Sequence, residues 1–245
     1  MGQKSLFLIE TKTPNKLLLV NGGRMEARLS DIPQDEVLRY LGYRGQSIDD
    51  NLRKQLENCI RAVKDCAKAR LTYRILPVKD SMIEGLVLEG RDIKALLEGC
   101  TKAIAMAATL GPEAEALLRR TEVTNMADAV IMDSAQSTAI ENVCDNFESD
   151  MRLEFGKQGL YLTDRYSPGY GDLPLLSQKA IAELLVAEKR IGLTVTDNMI
   201  MIPRKSVTCI IGISDSPRTL KRRGCDSCSA RENCFFRAQG SVCNA

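Results

Sequence analysis

Apolar positions along this chain change period several times, and each change predicts an element. Leu6-Phe7-Leu8-Ile9 and Leu17-Leu18-Leu19-Val20 are short apolar runs parted by Thr13-Pro14-Asn15, which predicts extended segments. Asn21-Gly22-Gly23 predicts a turn ahead of the alternating Met25, Ala27 and Leu29. A short helix is expected around Asp35 to Leu41, and Ile48, Leu52, Leu56, Ile60 and Val63 then recur at helical spacing. Strand-like runs at Leu71–Val78 and Ile83–Leu88 precede a short helix from Asp92 to Leu97. Ala103–Thr109 is small and apolar and ends at Leu110-Gly111-Pro112.

The longest periodic stretch predicts a single helix from Met126 to Phe155. Within it Ala135, Ala139, Val143, Phe147, Met151 and Phe155 lie four apart on one face, and Gly156 and Gly159 end it. Tyr161–Pro174 is expected as a loop. A helix with Ile181, Leu184, Leu185 and Ile191 on one side follows, stopped by Gly192. Thr194-Val195-Thr196 and Val207–Ser214 predict strands around Pro203. Strands and helices mix without a βαβ rhythm, so the fold class is α+β, a mixed or antiparallel sheet with long helices. Beyond Pro217 the composition turns abruptly basic and rich in Gly and Cys, which divides the chain into a body, residues 1–216, and an appendage, residues 217–245.

The 245 residues suffice for a sizeable core, and a net charge of +2 gives no reason to expect a nucleic-acid or membrane partner. No apolar run reaches the roughly 18 residues of a membrane helix, and the first residues carry no secretory pattern. The chain has no His, which excludes Ser-His-Asp and Cys-His hydrolysis and His-based zinc catalysis. Any chemistry must rest on carboxylates, guanidinium groups, thiolates, phenols or backbone.

Nine cysteines, an odd number, point to a reducing cytoplasm rather than a disulfide framework. Cys59, Cys66, Cys100, Cys144 and Cys209 sit among apolar residues and are expected as small buried hydrophobes. Cys225, Cys228, Cys234 and Cys243 crowd the appendage with the spacing Cys-x2-Cys-x5-Cys-x8-Cys. Four thiolates this close can hold zinc or an iron–sulfur cluster, and the alternative is a tail with incidental thiols. The spacing matches neither ferredoxin pattern, which favours zinc, so the metal stays open between the two. Arg218, Lys221, Arg222 and Arg223 are expected as a solvated linker.

The stretch RYSPGYGDLP, residues 165–174, carries the most specific chemistry. Pro168-Gly169 and Gly171 allow tight turns and close backbone approach, Arg165 offers a planar fork for a carboxylate, and Tyr166 and Tyr170 offer rings with polar tips. The plainer alternative is a structural turn with one surface arginine. Followed by Gln178-Lys179, AELLVAEKRIGLTVT, Met201-Ile202-Pro203 and Lys205-Ser206-Val207, this stretch resembles the activation domain of cobalamin-dependent methionine synthase, in its separate single-domain form. The resemblance extends upstream through Ala139-Ile140-Glu141 and Thr109-Leu110-Gly111 to Arg39-Tyr40-Leu41-Gly42-Tyr43.

The resemblance implies that Arg165 holds the carboxylate of S-adenosylmethionine, that Ser167, Gly169 and Tyr170 line the ligand, and that Glu141 contacts it. On spacing alone Glu141 lies opposite the apolar stripe, where a solvated helix face is the ordinary reading. The family also uses an N-terminal aspartate; Asp35, beside Glu36, is its possible counterpart and is left out of the site residues. Gly171-Asp172-Leu173 departs from the large enzymes, and so does everything after Gly212.

The family's role implies an enzyme component: the reactivation part of cobalamin-dependent methionine synthase, a methyltransferase of methionine biosynthesis, acting only with a corrinoid partner and without a catalytic side chain of its own. It would support reductive methylation of cob(II)alamin on a methionine synthase or related corrinoid protein. An electron donor such as flavodoxin or ferredoxin would complete the cycle, and this need for a low-potential electron favours an iron–sulfur cluster over zinc in the appendage. Two other readings compete with it. One is a redox or zinc adaptor that docks on a corrinoid protein without using S-adenosylmethionine. The other is a nucleic-acid-binding protein with a zinc appendage, which the near-neutral charge disfavours.

Overall fold

A computed structural model describes residues 24–43, 46–83 and 85–218, together with Glu232. The segments predicted at residues 6–9 and 17–20, the turn at residues 21–23 and the four appendage cysteines lie outside the described residues.

Three long strands organise the body. Strand β2 (Arg70–Lys79) pairs with β4 (Cys100–Thr109), and β4 pairs with β8 (Ser206–Ser214). The short strands β1 (Arg24–Glu26) and β5 (Tyr161–Leu162) flank them, giving the order β1-β2-β4-β8-β5, and β3 (Met82–Ile83) pairs with the far end of β2. Every pairing is antiparallel. A separate hairpin joins β6 (Thr194–Val195) to β7 (Met201–Ile202).

The small apolar run at 103–109 proves to be the central strand, buried on both faces. Its Ile104, Met106 and Ala108 join one core with Leu71, Tyr73, Cys209 and Ile211, while Ala103, Ala105 and Ala107 join a second core with Ile210. Period-2 alternation hides when both faces are covered, which leaves such a strand looking like a continuous apolar run. The first core is covered by α1 (Gln34–Tyr40), α2 (Asp50–Cys66), α4 (Pro112–Thr124) and α5 (Met126–Gly156). The second is covered by α3 (Arg91–Leu97), α6 (Ser177–Leu184) and α7 (Ala187–Ile191). The α+β class with an antiparallel sheet and a long helix is as expected. Among the described residues no helix is long and apolar enough to cross a membrane.

Helix α5 follows its sequence signals closely. The Asn125 side chain accepts from the amides of Ala127 and Asp128 at its start, and Gly159 (φ 71°) turns the chain after its end. The expected stripe of Ala135, Ala139, Val143, Phe147, Met151 and Phe155 is buried. Cys59, Cys100, Cys144 and Cys209 are buried free thiols and Cys66 is half-buried, as small hydrophobes should be.

Four local expectations are corrected. The strand at 83–88 shrinks to Met82–Ile83, because Asp80 and Ser81 (φ 51° and 59°) form a two-residue hairpin turn straight after β2. Residues 113–124 carry no predicted element, yet α4 starts at Pro112, whose fixed φ suits a first helical position. The single helix expected through Ile191 is two, broken at Val186, which takes a left-handed conformation (φ 53°) that β-branched residues rarely adopt. Arg74 donates to the carbonyl of Leu184 at that break, 3.2 Å away, satisfying one of the acceptors the helix end frees. Finally, Arg218 is not a solvated linker residue: it is half-buried and its guanidinium donates to the Glu98 carbonyl.

Gly212 marks the tightest packing beside the site. A Cβ there would lie 2.7 Å from Cys100 Sγ and 2.9 Å from Thr163 Cγ2, so glycine is needed where the loop preceding Arg165 presses on β8.

Candidate functional site

One face of α5 carries Asp133, Ser137, Glu141, Asp145, Glu148 and Arg152, spaced three or four residues apart and therefore stacked along the helix. This is the face on which the sequence placed Glu141, but the solvated reading is only half right. Arg165, from the loop after β5, crosses onto it with its side chain 6% exposed. Its Nη2 lies 2.8 Å from Glu141 Oε2, and its Nη1 lies 3.0 Å from Asp145 Oδ1 and 3.1 Å from Glu148 Oε2. Arg165 is therefore a buried, ion-paired residue and not a surface arginine.

The three carboxylates are not equivalent. Glu148 is 10% exposed and also pairs with Arg152 at 2.6 Å, whereas Glu141 and Asp145 are 43% and 59% exposed. Arg152 in turn donates to the carbonyls of Leu162 and Thr163, 2.7 Å each, and lies 3.8 Å from Asp164. It therefore ties the strand end that delivers Arg165 to the middle of α5. Four carboxylates face two guanidinium groups here, leaving a formal surplus of negative charge on the exposed side. Such a site suits a zwitterion that also bears a cationic centre: Arg165 can take its carboxylate and the surplus acids its positive groups.

The loop's backbone follows from its residues. Tyr166 forms a single β-bridge with Ile210, its amide donating at 2.9 Å and its carbonyl accepting at 2.8 Å. Ser167-Pro168-Gly169-Tyr170 then closes on a bond from the Tyr170 amide to the Ser167 carbonyl at 3.2 Å. Proline second and glycine third, with φ 92° at Gly169, is the arrangement of a type II turn. Ser167 is half-buried, Gly169 exposed and Tyr170 41% exposed, so the turn presents backbone and one ring outward.

The Tyr40 ring enters from α1. Burial pushes its phenol pKa up, and the Glu141 carboxylate and Tyr170 beside it add to the shift. Arg39 sits 4.9 Å from the centre of the same ring. Beneath the site, burial raises the Cys144 thiol well above its ordinary range despite the opposing charge of Arg165, so it remains a protonated apolar filler. Asp35 and Glu36 lie in the first turn of α1, and Glu36 pairs with Arg39.

Sequence reasoning therefore named Glu141, Arg165, Ser167, Gly169 and Tyr170 and missed Asp145, Glu148, Arg152 and Tyr40. The four-residue ladder 133, 137, 141, 145 was the available signal for the acids. Among the described residues no group of three or more His, Cys, Asp or Glu could hold a metal ion.

The family model described as vitamin B12 dependent methionine synthase, activation domain, matches residues 105–220. The solved structure entitled "Crystal Structure of the MetH Reactivation Domain bound to AdoHcy" is similar over 91% of this chain and 86% of that one, at 13% identity with a TM-score of 0.57, which shows a shared fold. A nitroreductase family protein from Streptococcus pneumoniae TIGR4 aligns over 73% of this chain and 86% of that one, at 10% identity with a TM-score of 0.34. No curated protein matches the chain.

Proposed function

We propose that this chain, whose residues 105–220 match the family model of the vitamin B12 dependent methionine synthase activation domain, binds S-adenosylmethionine and supports reductive methylation of a partner's cobalamin. The observation that carries the reading is the buried guanidinium of Arg165 at the foot of the Ser167–Tyr170 turn, ringed by Glu141, Asp145 and Glu148.

S-adenosylmethionine has the complementary charges: a carboxylate for Arg165 and an ammonium and a sulfonium for the surplus acids. The ligand's carboxylate exchanges with Glu141 or Asp145, the two half-exposed partners, while Glu148 stays with Arg152 and keeps the fork aligned. Glu141 is then released to a cationic group of the ligand. The backbone of Ser167 and Gly169 and the ring of Tyr170 border the ligand and leave its methyl group toward solvent and the partner.

An external donor, of the flavodoxin or ferredoxin kind, supplies one electron to cob(II)alamin. The resulting cob(I)alamin attacks the sulfonium methyl, the S–CH3 bond breaks as the Co–CH3 bond forms, and S-adenosylhomocysteine leaves. The chain's own contribution is binding and orientation, so no catalytic side chain is assigned. The cobalamin arrives on a methionine synthase or other corrinoid protein in the cytoplasm. The test is direct: purified chain, S-adenosylmethionine, a chemical reductant and a cob(II)alamin-loaded partner should yield methylcobalamin, read by its visible spectrum. No reaction with a competent partner, with S-adenosylmethionine bound, would refute the reactivation role. Absence of S-adenosylmethionine binding would instead favour the adaptor reading.

For the appendage we propose that Cys225, Cys228, Cys234 and Cys243 hold one zinc ion or one iron–sulfur cluster. Metal analysis of anaerobically purified chain should return either one zinc or a cluster's iron per chain, and colour separates them. Preparations with neither metal would refute the site.

A further inference from the structure

None of the ligand contacts proposed above uses Gly171-Asp172-Leu173. The structure gives Asp172 a specific place. Its Oδ2 accepts from the Arg91 amide at 2.7 Å and its Oδ1 from the Asp92 amide at 3.0 Å. These two bonds, strongest for the ionised acid, hold the Asp172 carboxyl below the ordinary carboxylate range. The Arg91 side chain, 3.7 Å away but 95% exposed, adds little.

The opposing surface is shaped for this approach. Gly90 has φ 136°, and a Cβ on it would lie 2.8 Å from Asp172 Oδ1 and 3.1 Å from the Asp172 carbonyl oxygen. Only glycine allows both the backbone conformation and the contact. A second tie runs alongside: the Tyr166 hydroxyl lies 3.2 Å from Asp92 Oδ2 and 3.1 Å from the Tyr170 carbonyl. Leu173, the next residue, is buried in the second core, its amide donates to the Tyr170 carbonyl at 3.0 Å, and its carbonyl accepts from Gly169 at 2.9 Å. Gly169 and Tyr170 thus stand between two anchors that both end on residues 91–92.

We infer that Asp172 is a positioning residue for the ligand loop: clasped to the Gly90–Asp92 backbone, it fixes Gly169 and Tyr170 in the conformation that borders the ligand. The inference rests on the proposed S-adenosylmethionine site. It gives residues 171–173 a part in that site: the loop is braced from α3 by a carboxylate of its own. Loss of the clasp leaves Arg165 in place, since that side chain is held by α5, but frees the turn that follows it.

The test uses Asp172→Ala, Asp172→Asn and Gly90→Ala in the full chain, with amide hydrogen exchange and S-adenosylmethionine calorimetry on each. Asp172→Ala is expected to speed exchange across residues 168–174 and to raise Kd about tenfold, with an unchanged melting temperature. Asp172→Asn keeps one strong acceptor oxygen and recovers part of the loss. Gly90→Ala displaces Asp172 without touching its charge and should reproduce the faster exchange and weaker binding of Asp172→Ala, with a lower melting temperature from the strain at φ 136°; a purely electrostatic effect of the carboxylate on a cationic ligand would not give that loss of binding. Wild-type affinity in Asp172→Ala, or weakened binding with unaltered loop exchange, overturns the inference and leaves the binding site standing. Failure of the wild-type chain to bind S-adenosylmethionine removes the site itself, and the inference with it.

Discussion

Replacing Arg165 with alanine is expected to weaken S-adenosylmethionine binding by about 10- to 150-fold, the loss of a charge-assisted contact of roughly 1.5–3 kcal/mol. The structure adds a second consequence that the loop sequence did not suggest. Arg165 is nearly buried, and its removal deprives three carboxylates of a counter-ion at once. Glu141 and Asp145 can turn to water, but Glu148 cannot, and it falls back on Arg152 alone. A stability loss of about 1–3 kcal/mol should therefore accompany the loss of binding. Arg165→Lys separates the two effects. A lysine restores a positive charge near Glu148 and much of the stability, but its ammonium cannot present the parallel pair of N–H groups that a carboxylate needs. Calorimetry paired with thermal melting on the two variants should show Arg165→Lys near wild type in stability and near Arg165→Ala in affinity. Equal S-adenosylmethionine affinity in wild type and Arg165→Ala would remove this residue from the site.

The parts of this fold that were legible in the sequence are those where local chemistry and tertiary demand agree. Helix α5 has an Asn cap, an uninterrupted apolar stripe and glycines at its end, and it forms where expected. The turn at Ser167–Tyr170 was legible for the same reason, because Pro-Gly permits few alternatives. What escaped was imposed from a distance. Val186 carries no sign that it breaks a helix; the break arises because Leu185 and Ala187 are both buried on either side of it. The strand β4 looked featureless because both of its faces are covered. Asp145 stands on the four-residue ladder with Glu141, but nothing periodic marks Glu148, and nothing in the chain marks either acid as a partner of Arg165, 20 and 17 positions away. Asp172 belongs to the same class, as its partners lie some eighty positions upstream.

The two glutamates that grip Arg165 should fail in opposite ways when replaced. Glu148→Ala is expected to cost about 3 kcal/mol of stability, because it takes the shared partner from two arginines that are only 6% and 28% exposed. Arg152 keeps the Leu162 and Thr163 carbonyls and Arg165 keeps Glu141 and Asp145, which holds the loss at the lower end of the range for broken buried pairs. Glu148→Gln should be little better, since its amide N–H2 would face guanidinium donors on one side. Glu141→Gln behaves differently. At 43% exposure Glu141 contributes little to stability, but in the proposed binding mode its charge faces the ligand's cationic group. The melting temperature should barely move while S-adenosylmethionine affinity falls about tenfold. Both variants can be read in one pair of measurements, unfolding by heat and titration with S-adenosylmethionine. A Glu141→Gln protein that loses stability but binds normally would make Glu141 a structural partner of Arg165 and end its place in the site.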